Sequence, residues 1–507
     1  MKFVSRKRAA VLACTALLGL GTFSCQNDLL NVKPTTQLDG GLSFDTPSRV
    51  LAQVNGLYSF VKVGGLLGGR YQIYGDIRAN DFINRTTNGV TGLSVWNHTL
   101  AETSSNDVVS VWGNAYAAIN QVNVFLAGLD ANTSKFNASP FPSGYSSLVP
   151  NYQAEARLLR ALCYYSMLQL YARPYADGNG TRPGLPLRLQ AESGLGNNDL
   201  ARSTVAQVYD QILLDLNFAE QNLPLRYTAS QGSVSVATLN VTRAHRNTAI
   251  ALKARVYLTM GRYADVITEA NKLVPTAAPY AAATGVTNAL NSSIVNVFAA
   301  PQETTESILS FPFTAQDTPG TQNQLAYYYL PSSLGGNGEY GLNTSTAAAT
   351  AGVLADANFG ANDVRRTSFV AAVGNERFLT KYPTGSPYTD KAPVIRYSEV
   401  MLSLAEALVR TNGVTDARAL ALLNAVRTRS SGTAYPAFAT SSAMIDAILL
   451  ERRIEFLGEG IRNIDIMRLN ATIPAKGTVS AIAPSNPAYV WPIPSTELSA
   501  NNLMTRN

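Results

Sequence analysis

Apolar residues recur three and four positions apart over much of the chain, which is the spacing of amphipathic helices. This spacing predicts helices over residues 111–129 and 154–171. The second of these is apolar on most faces, so we expect neighbouring helices to cover it on all sides. A further helix is predicted over residues 205–223, where Pro224 ends it.

Two segments have the pattern of a helical hairpin. In the first, helices over 249–258 and 264–273 flank the turn Gly261-Arg262-Tyr263. In the second, helices over 398–410 and 417–429 flank Asn412-Gly413. Glycine allows the chain to reverse at such turns, and stacked hairpins of this kind form tetratricopeptide-like proteins. The pattern predicts a mainly α fold, with tetratricopeptide-like hairpins stacked as a right-handed superhelical body.

Residues 276–390 interrupt the helical pattern. They are rich in Ala, Thr, Gly, Asn and Tyr, and only 12 of these 115 residues are charged. The sequence of Ser307–Phe311 favours a short strand. We therefore expect an irregular, loop-rich insertion with short β elements. Insertions of this kind often carry function, which makes this region a candidate ligand face.

The first residues have the pattern of a signal peptide. Four basic residues precede a short apolar run, and small residues then lead to Cys25. The run is too short to span a bilayer comfortably, and its end resembles a bacterial lipobox, in which the cysteine is lipidated. The alternative is an ordinary signal peptide with an incidental cysteine. The predicted regions are a signal peptide (1–24), lipidated Cys25 with a flexible tether (25–48), an N-terminal helical region (49–275), the irregular insertion (276–390) and a C-terminal helical region (391–507).

The charge and cysteine content exclude two classes of protein. The formal charge is +6, but four positive charges and no acid precede Cys25, which leaves +2 for residues 25–507. No basic stripe is interleaved with aromatic residues, so we expect no nucleic-acid binding. Beyond Cys14 and Cys25 there remains only Cys163, which excludes a disulfide framework. We expect Cys163 to be a small buried apolar side chain.

Five motifs lie in order along most of the chain. The most specific has the form E-R-R-x-E-(x3)-E-G-x-R-x-x-D-x-x-R and spans residues 451–468. The other four are E-A-R at 155–157, R-Y-S-E-V at 396–400, N-A-V-R-T-R at 424–429 and P-I-P at 492–494. Together they resemble the SusD/RagB family of outer-membrane nutrient-binding lipoproteins. The resemblance implies a helical, non-catalytic binding protein.

The charged motif favours structure over catalysis. On a helix, Glu451 and Glu455 lie four residues apart and share one face. Glycoside hydrolysis needs a carboxyl group with a raised pKa, whereas adjacent arginines lower the pKa of a carboxyl group. We therefore expect structural ion pairs. The residues expected to form them are Glu451, Arg452, Glu455, Arg462, Asp465 and Arg468.

No catalytic or metal-binding motif is evident. The two histidines, His98 and His245, have no companions at metal-site or catalytic-triad spacing. Residues 336–341 satisfy G-x-G-x-x-G, but neither a clear strand nor a helix flanks them, so a flexible loop is the better interpretation. We expect no cofactor and no metal.

Glycans are bound by aromatic rings that stack on sugar faces and by polar side chains that orient hydroxyl groups. Such residues occur in a loop-like segment before Trp112 and in the tyrosine-rich part of the insertion. The candidate ligand-binding residues are Tyr74, Asn80, Asp81, Trp96, Tyr327, Tyr328, Tyr329 and Tyr340. Core packing or contact with a transporter is the alternative role for each. Three adjacent tyrosines cannot all point inward, so we expect at least one to be exposed.

The resemblance implies a surface lipoprotein that is anchored in the cell outer membrane by lipid and faces the exterior. It would capture an oligosaccharide and deliver it to a SusC-type TonB-dependent transporter. A peptide ligand, as for a RagB-like protein, is the first alternative. A glycosidase and a scaffold for envelope assembly are alternatives from other classes. Exposed aromatic residues favour sugar, whereas a deep polar cavity favours peptide.

Overall fold

The computed structural model describes residues 42–194, 196 and 199–507. The predicted signal peptide, Cys25 and most of the predicted tether lie outside these residues. The first helix begins at Pro47, so the end of the predicted tether at residue 48 is already helical. Within the described ranges, no helix is both long enough and apolar enough to cross a membrane.

Helices form most of the body. Their bounds are α1 Pro47–Val61, α2 Arg70–Ile77, α3 Leu93–Asn97, α4 Ser110–Ala131, α5 Val149–Tyr171, α6 Val205–Asn222, α7 Val236–Thr242, α8 Arg246–Thr259, α9 Tyr263–Ala270, α10 Ile294–Phe298, α11 Leu325–Tyr329, α12 Val364–Phe369, α13 Tyr397–Asn412, α14 Ala417–Ser431, α15 Ser441–Glu455, α16 Ile461–Arg468 and α17 Ser495–Ala500. The long helices pack in sequence: α4 on α5, α5 on α6, α6 on α8, α8 on α9, α9 on α13, and α13 on α14 and α15. The predicted mainly α fold of helical hairpins is confirmed.

Helix α5 lies at the centre of this stack. Every residue from Leu158 to Tyr171 is buried, including Cys163. Because burial disfavours the thiolate, it raises the pKa of Cys163 to about 12. The all-round apolar pattern of this segment therefore predicted its position correctly.

Local sequence explains where the helices begin. The Thr204 hydroxyl accepts a hydrogen bond from the backbone N–H of Gln207, and the Gln207 side chain accepts one from the Thr204 N–H, forming a capping box at the start of α6. Asp416 caps α14 in a similar way, through the backbone N–H of Ala419. The reversal before α14 uses Gly413, whose φ of 87° is in the left-handed region.

The strands form three antiparallel pairs in the described part of the chain. Strand β1 (Phe82–Asn84) pairs with β3 (Tyr340–Leu342), β2 (Ser307–Phe311) with β6 (Ala392–Arg396), and β4 (Val370–Val373) with β5 (Glu376–Leu379). The short strand predicted at β2 is confirmed. In the β1–β3 pair, Phe82 lies opposite Leu342 and Asn84 opposite Tyr340. This pairing joins the region before α4 to the irregular insertion.

The charged motif of residues 451–468 forms a buried ion-pair network. Glu455 accepts from Arg365, Arg396 and Arg429 at 2.5–3.0 Å. Burial alone would raise the pKa of Glu455, but these guanidinium groups hold it well below its usual range. Glu451 binds Arg365 at 2.5 Å. The network joins α12, α14, α15 and β6, so the predicted structural role is supported by geometry.

A second part of the network lies on α16. Asp465 binds Arg452 at 2.9 Å and Arg468 at 2.8 Å, and Arg468 also binds Glu406 on α13. Burial opposes ionisation of Asp465, yet the two arginines lower its pKa to about 2. Arg462 differs from the prediction, because no carboxylate lies within ion-pair distance of it among the described residues. Burial lowers the pKa of Arg462 to about 10. The carboxylate of Asp81 forms an ion pair with neighbouring Arg453 and not with Arg462.

Candidate functional site

Seven of the eight candidate ligand residues are buried, which corrects the expectation that they form a ligand surface. Three of the segments that carry them are helices rather than loops: Tyr74 lies on α2, Trp96 on α3 and Tyr327–Tyr329 on α11. The buried side chains are Tyr74, Asn80, Asp81, Trp96, Tyr328, Tyr329 and Tyr340. Only Tyr327 is partly exposed, which confirms that the three adjacent tyrosines do not all point inward.

The buried aromatic residues pack against one another, and most of their polar atoms are hydrogen-bonded. The Tyr74 hydroxyl donates to Asp107 Oδ1 at 2.5 Å, and the Trp96 indole N–H donates to the Phe82 carbonyl at 3.0 Å. The rings of Tyr328 and Tyr340 are stacked, with centroids 6.1 Å apart. Because these rings are buried, they support the surface from beneath and are not presented to solvent.

Asn80 and Asp81 are also structural. Arg453 on α15 donates to both of them, at 3.1 Å to Asn80 Oδ1 and 2.6 Å to Asp81 Oδ1. Although burial opposes it, this guanidinium lowers the pKa of Asp81. The pair fixes the end of the α2 segment to the C-terminal helices.

Tyr327 has a partner that the sequence did not single out. Its ring meets the partly exposed ring of Tyr388 edge to face, with centroids 6.0 Å apart. Tyr388 follows Ser386-Pro387 in a turn and has a φ of 61°, which is uncommon outside glycine. We name these two side chains the tyrosine pair. A Ser-Pro-Tyr turn in an irregular insertion was the only signal available from the sequence.

Glu339 fixes the loops around the tyrosine pair. Its carboxylate is only 1% exposed and accepts from the hydroxyls of Thr91 at 3.1 Å and Tyr327 at 3.4 Å. Thr86 and Asn337 also donate to it. In the described part of the chain no Lys or Arg lies within ion-pair distance of this carboxylate, so hydroxyl and amide donors alone satisfy it.

A polar cleft of about 470 Å³ adjoins this cluster. Arg85 connects the two: it donates to the Gly338 carbonyl at 2.7 Å, forms a two-point ion pair with Glu376, and lies 4.6 Å above the Phe378 ring. The cleft is lined by Ile83, Arg85, Gly341, Leu342, Asn343, Thr344, Ser345, Thr350, Asn375, Glu376, Arg377 and Gly477. Hydroxyl, amide and guanidinium groups therefore line the cleft, and Arg85, Gly338 and Glu339 connect it to Tyr327 of the tyrosine pair. Such a set can orient hydroxyl groups and cover one face of a sugar ring.

Residues 42–194, 196 and 199–507 contain no cluster of three or more His, Cys, Asp or Glu side chains arranged to hold a metal ion. The two histidines are separated in the fold. Burial lowers the pKa of His98 to about 2 and that of His245 to about 4. Both rings are therefore neutral near pH 7.

Comparison with known proteins decides the family. The family model of the SusD family matches residues 254–507. A second model, described as starch-binding associating with outer membrane, matches residues 35–258. The chain belongs to the SusD family.

Relatives in the SusD family match along nearly their whole length. The SusD-like protein P38 of Formosa agariphila is 24% identical over 536 residues, covering 97% of each chain. A SusD superfamily protein from Bacteroides fragilis is 32% identical with a TM-score of 0.77, and the match covers 91% of this chain and 100% of that one. A surface glycan-binding protein A from Bacteroides uniformis is 21% identical with a TM-score of 0.69, covering 91% and 99% of the two chains. The sequence motifs predicted membership of the SusD family, and these comparisons confirm it.

Proposed function

We propose that this chain is a non-catalytic binding protein of the outer cell surface that captures an oligosaccharide through the tyrosine pair and the polar cleft. The observation that carries the proposal is the partly exposed Tyr327–Tyr388 contact, which Glu339, Gly338 and Arg85 connect to a cleft lined by hydroxyl and amide groups. Sugar rings have apolar faces and polar edges. The tyrosine rings can contact the faces, and the hydroxyl and amide groups of the cleft can bind the edges. A solved structure of the same fold is that of a surface glycan-binding protein.

The proposal extends to location and partner. The family description that matches residues 35–258 includes association with the outer membrane. We assign the attachment to a lipid on Cys25 and the next step of uptake to a SusC-type TonB-dependent transporter. In this scheme the chain holds the ligand and the transporter moves it, so no bond in the ligand is broken.

The carboxylates of the charged motif support a role without catalysis. A general acid in glycoside hydrolysis needs a raised pKa. Burial raises the pKa of Glu455 and Glu459, but the surrounding arginines and Lys381 outweigh it, and both pKa values are lowered. These groups are therefore suited to holding helices together.

Binding to an array of glycans and peptides tests the function. We expect purified residues 26–507 to bind glycans, and Tyr327→Ala and Tyr388→Ala each to weaken that binding about tenfold, since an aromatic contact adds roughly 1 kcal/mol beyond its buried area. Phe60→Ala is the matched control, because Phe60 is 43% exposed on α1 and does not line the cleft. Binding of peptides alone, or recovery of a cleaved glycan, would contradict the proposal.

A further inference from the structure

A second concave surface lies around the C-terminal segment, built from two adjoining cavities of about 450 Å³ and about 410 Å³. Their walls share five residues, Asn486, Pro487, Val490, Arg506 and Asn507. We name this surface the arginine cleft. Neither cavity shares a lining residue with the polar cleft, so the two surfaces are separate.

Positive charge exceeds negative charge in the walls of the larger cavity. Arg173 and Arg182 share a single carboxylate, Asp177, at 2.6 Å and 3.2 Å. Arg506 pairs with Glu102 at the rim, at 2.6 Å. One carboxylate cannot neutralise two guanidinium groups, so this end of the cleft keeps a positive potential.

Arg202 adds a charge with no acidic counterpart. Its guanidinium donates to the carbonyls of Gly184, Pro183, Thr505 and Arg506 and to Asn507 Oδ1, at 2.7–3.3 Å. No Asp or Glu carboxylate of the described residues lies within ion-pair distance of it. Because burial is not offset by any nearby acid, it lowers the pKa of Arg202 to about 10. At neutral pH the group remains charged and adds to the positive potential of the cleft, although its N–H groups already donate to the protein.

The smaller cavity continues this potential. Arg78 is 1% exposed and donates to Asn463 Oδ1 at 2.8 Å and the Tyr489 carbonyl at 2.7 Å, with no acid as partner in the described chain. The neutral ring of His98 lines the same cavity, and its Nε2 has no hydrogen-bond partner. This end therefore combines a positive field with a free polar ring atom.

We propose that the arginine cleft binds an anionic oligosaccharide, one that carries uronate carboxylates or sulfate esters. Guanidinium groups match the paired oxygens of carboxylates and sulfates in two-point contacts. Prolines and Val490 in the walls offer apolar surface to sugar-ring faces. None of the large apolar side chains that are exposed in the described chain lines the cleft, so it provides no path for an acyl chain and a lipid headgroup fits less well.

The test compares anionic and neutral sugars. Calorimetric titrations would use oligogalacturonate, a chondroitin sulfate oligosaccharide and maltoheptaose. We expect the two anionic sugars to bind, and their affinity to fall at least about tenfold between about 0.02 M and about 0.3 M sodium chloride because salt screens the arginines. Failure of both anionic sugars to bind at the lower salt concentration would overturn the proposal, as would equal binding of maltoheptaose in this cleft.

Paired substitutions locate the site. The side chains of Arg182 and Arg506 are 55% and 70% exposed, so the double variant R182A/R506A is expected to fold and to bind anionic sugar at least about tenfold more weakly. The control K135A/R226A removes two exposed charges elsewhere and should bind as the parent does.

Two further arms separate this inference from the proposed function. R182A/R506A should weaken anionic-sugar binding equally in the parent and in Tyr327→Ala, since Tyr327 lies outside the arginine cleft. Undiminished binding by R182A/R506A would overturn the inference even if Tyr327→Ala abolished binding of neutral glycans. Binding of acidic peptides or of vesicles with anionic phospholipid, without binding of anionic sugar, would assign the cleft to a different ligand and refute it.

Discussion

Asp465 is a buried carboxylate that arginine side chains keep ionised. Its carboxylate forms ion pairs with Arg452 and Arg468. On α13, Arg452 donates to the Ser403 hydroxyl and Arg468 forms an ion pair with Glu406. Removing one member of such a group leaves the others buried without a counter-charge. The cost of breaking a buried pair in this way is larger than the net gain from forming it.

We expect Asp465→Asn to lower the free energy of unfolding by about 3 kcal/mol at pH 7. The folded pKa of about 2 lies below the ordinary value of 3.8, so the charge stabilises the fold above about pH 4. This contribution of about 2 kcal/mol disappears as the pH falls toward 2, and the difference between parent and variant should shrink over that range. Urea denaturation at pH 7, 4 and 3 measures it. Asp210→Asn, at an exposed position, is the control; a difference that does not change with pH would contradict the assignment.

The candidate site illustrates what residue types alone could predict. Tyrosine clustering correctly marked the region of Tyr327, because aromatic side chains in a weakly helical segment are unusual. It did not distinguish exposed rings from buried ones, since burial of Tyr328 and Tyr329 depends on α2 and the β1–β3 pair. Glu339 and Tyr388 could not be found from the sequence, because their roles arise from contacts between distant segments.

At the scale of elements, α2 and α16 meet through glycine. A Cβ atom added to Gly75 would lie 2.3 Å from the Gly460 carbonyl oxygen. At the same contact, the Gly460 N–H donates to Asp76 Oδ2 at 2.9 Å. The approach is too close for any side chain, so glycine at residue 75 is a packing requirement.

Gly75→Ala should therefore lower the free energy of unfolding by about 1–3 kcal/mol, the usual cost of overpacking. Gly56→Ala makes the same change within α1, where no atom lies within 4 Å of the new methyl group. There we expect stabilisation of about 0.5–1 kcal/mol, since alanine favours the helix. Denaturant titration of both variants gives the comparison. If the Gly75→Ala protein were as stable as the parent, α2 would be able to move away from α16 without cost, and glycine would not be required at residue 75.

Element prediction succeeded where the buried residues of a helix are mostly apolar and failed where many of them are polar or charged. The hairpins α8–α9 and α13–α14 were predicted because their apolar spacing and glycine turns are regular. Helix α2 was taken for a loop because its buried residues include Arg70, Gln72 and Asp76, which hide the periodicity. Its helical state is set by packing against α16 and α11.

At the scale of the whole molecule, the order of motifs was enough to predict the family and the helical fold. The polar cleft was not predictable, since residues of strands β1 and β3 line it. These two strands are separated by more than two hundred residues of sequence. Such long-range pairing leaves no local pattern, because each three-residue strand is too short to show alternation.

The proposed lipid anchor at Cys25 concerns the location of the whole chain in the cell. Cys25→Ser should release the protein from the outer membrane, because a single lipidated cysteine supplies the proposed attachment. Cell fractionation followed by immunoblotting measures the release. Cys163→Ser is the matched control and should remain with the membrane, since Cys163 is buried in α5. Retention of the Cys25→Ser protein in the membrane fraction would contradict a lipid anchor at this residue.

The position of Cys163 has one more consequence. Residues 26–507 contain no other thiol, and this one lies inside the central helix with no exposed surface. A thiol reagent can therefore react only when the helices separate around it. The rate at which the reagent labels Cys163 therefore measures how often the helices around it open. A ligand that stabilises the closed helices would lower this labelling rate, and no engineered probe is needed to measure it.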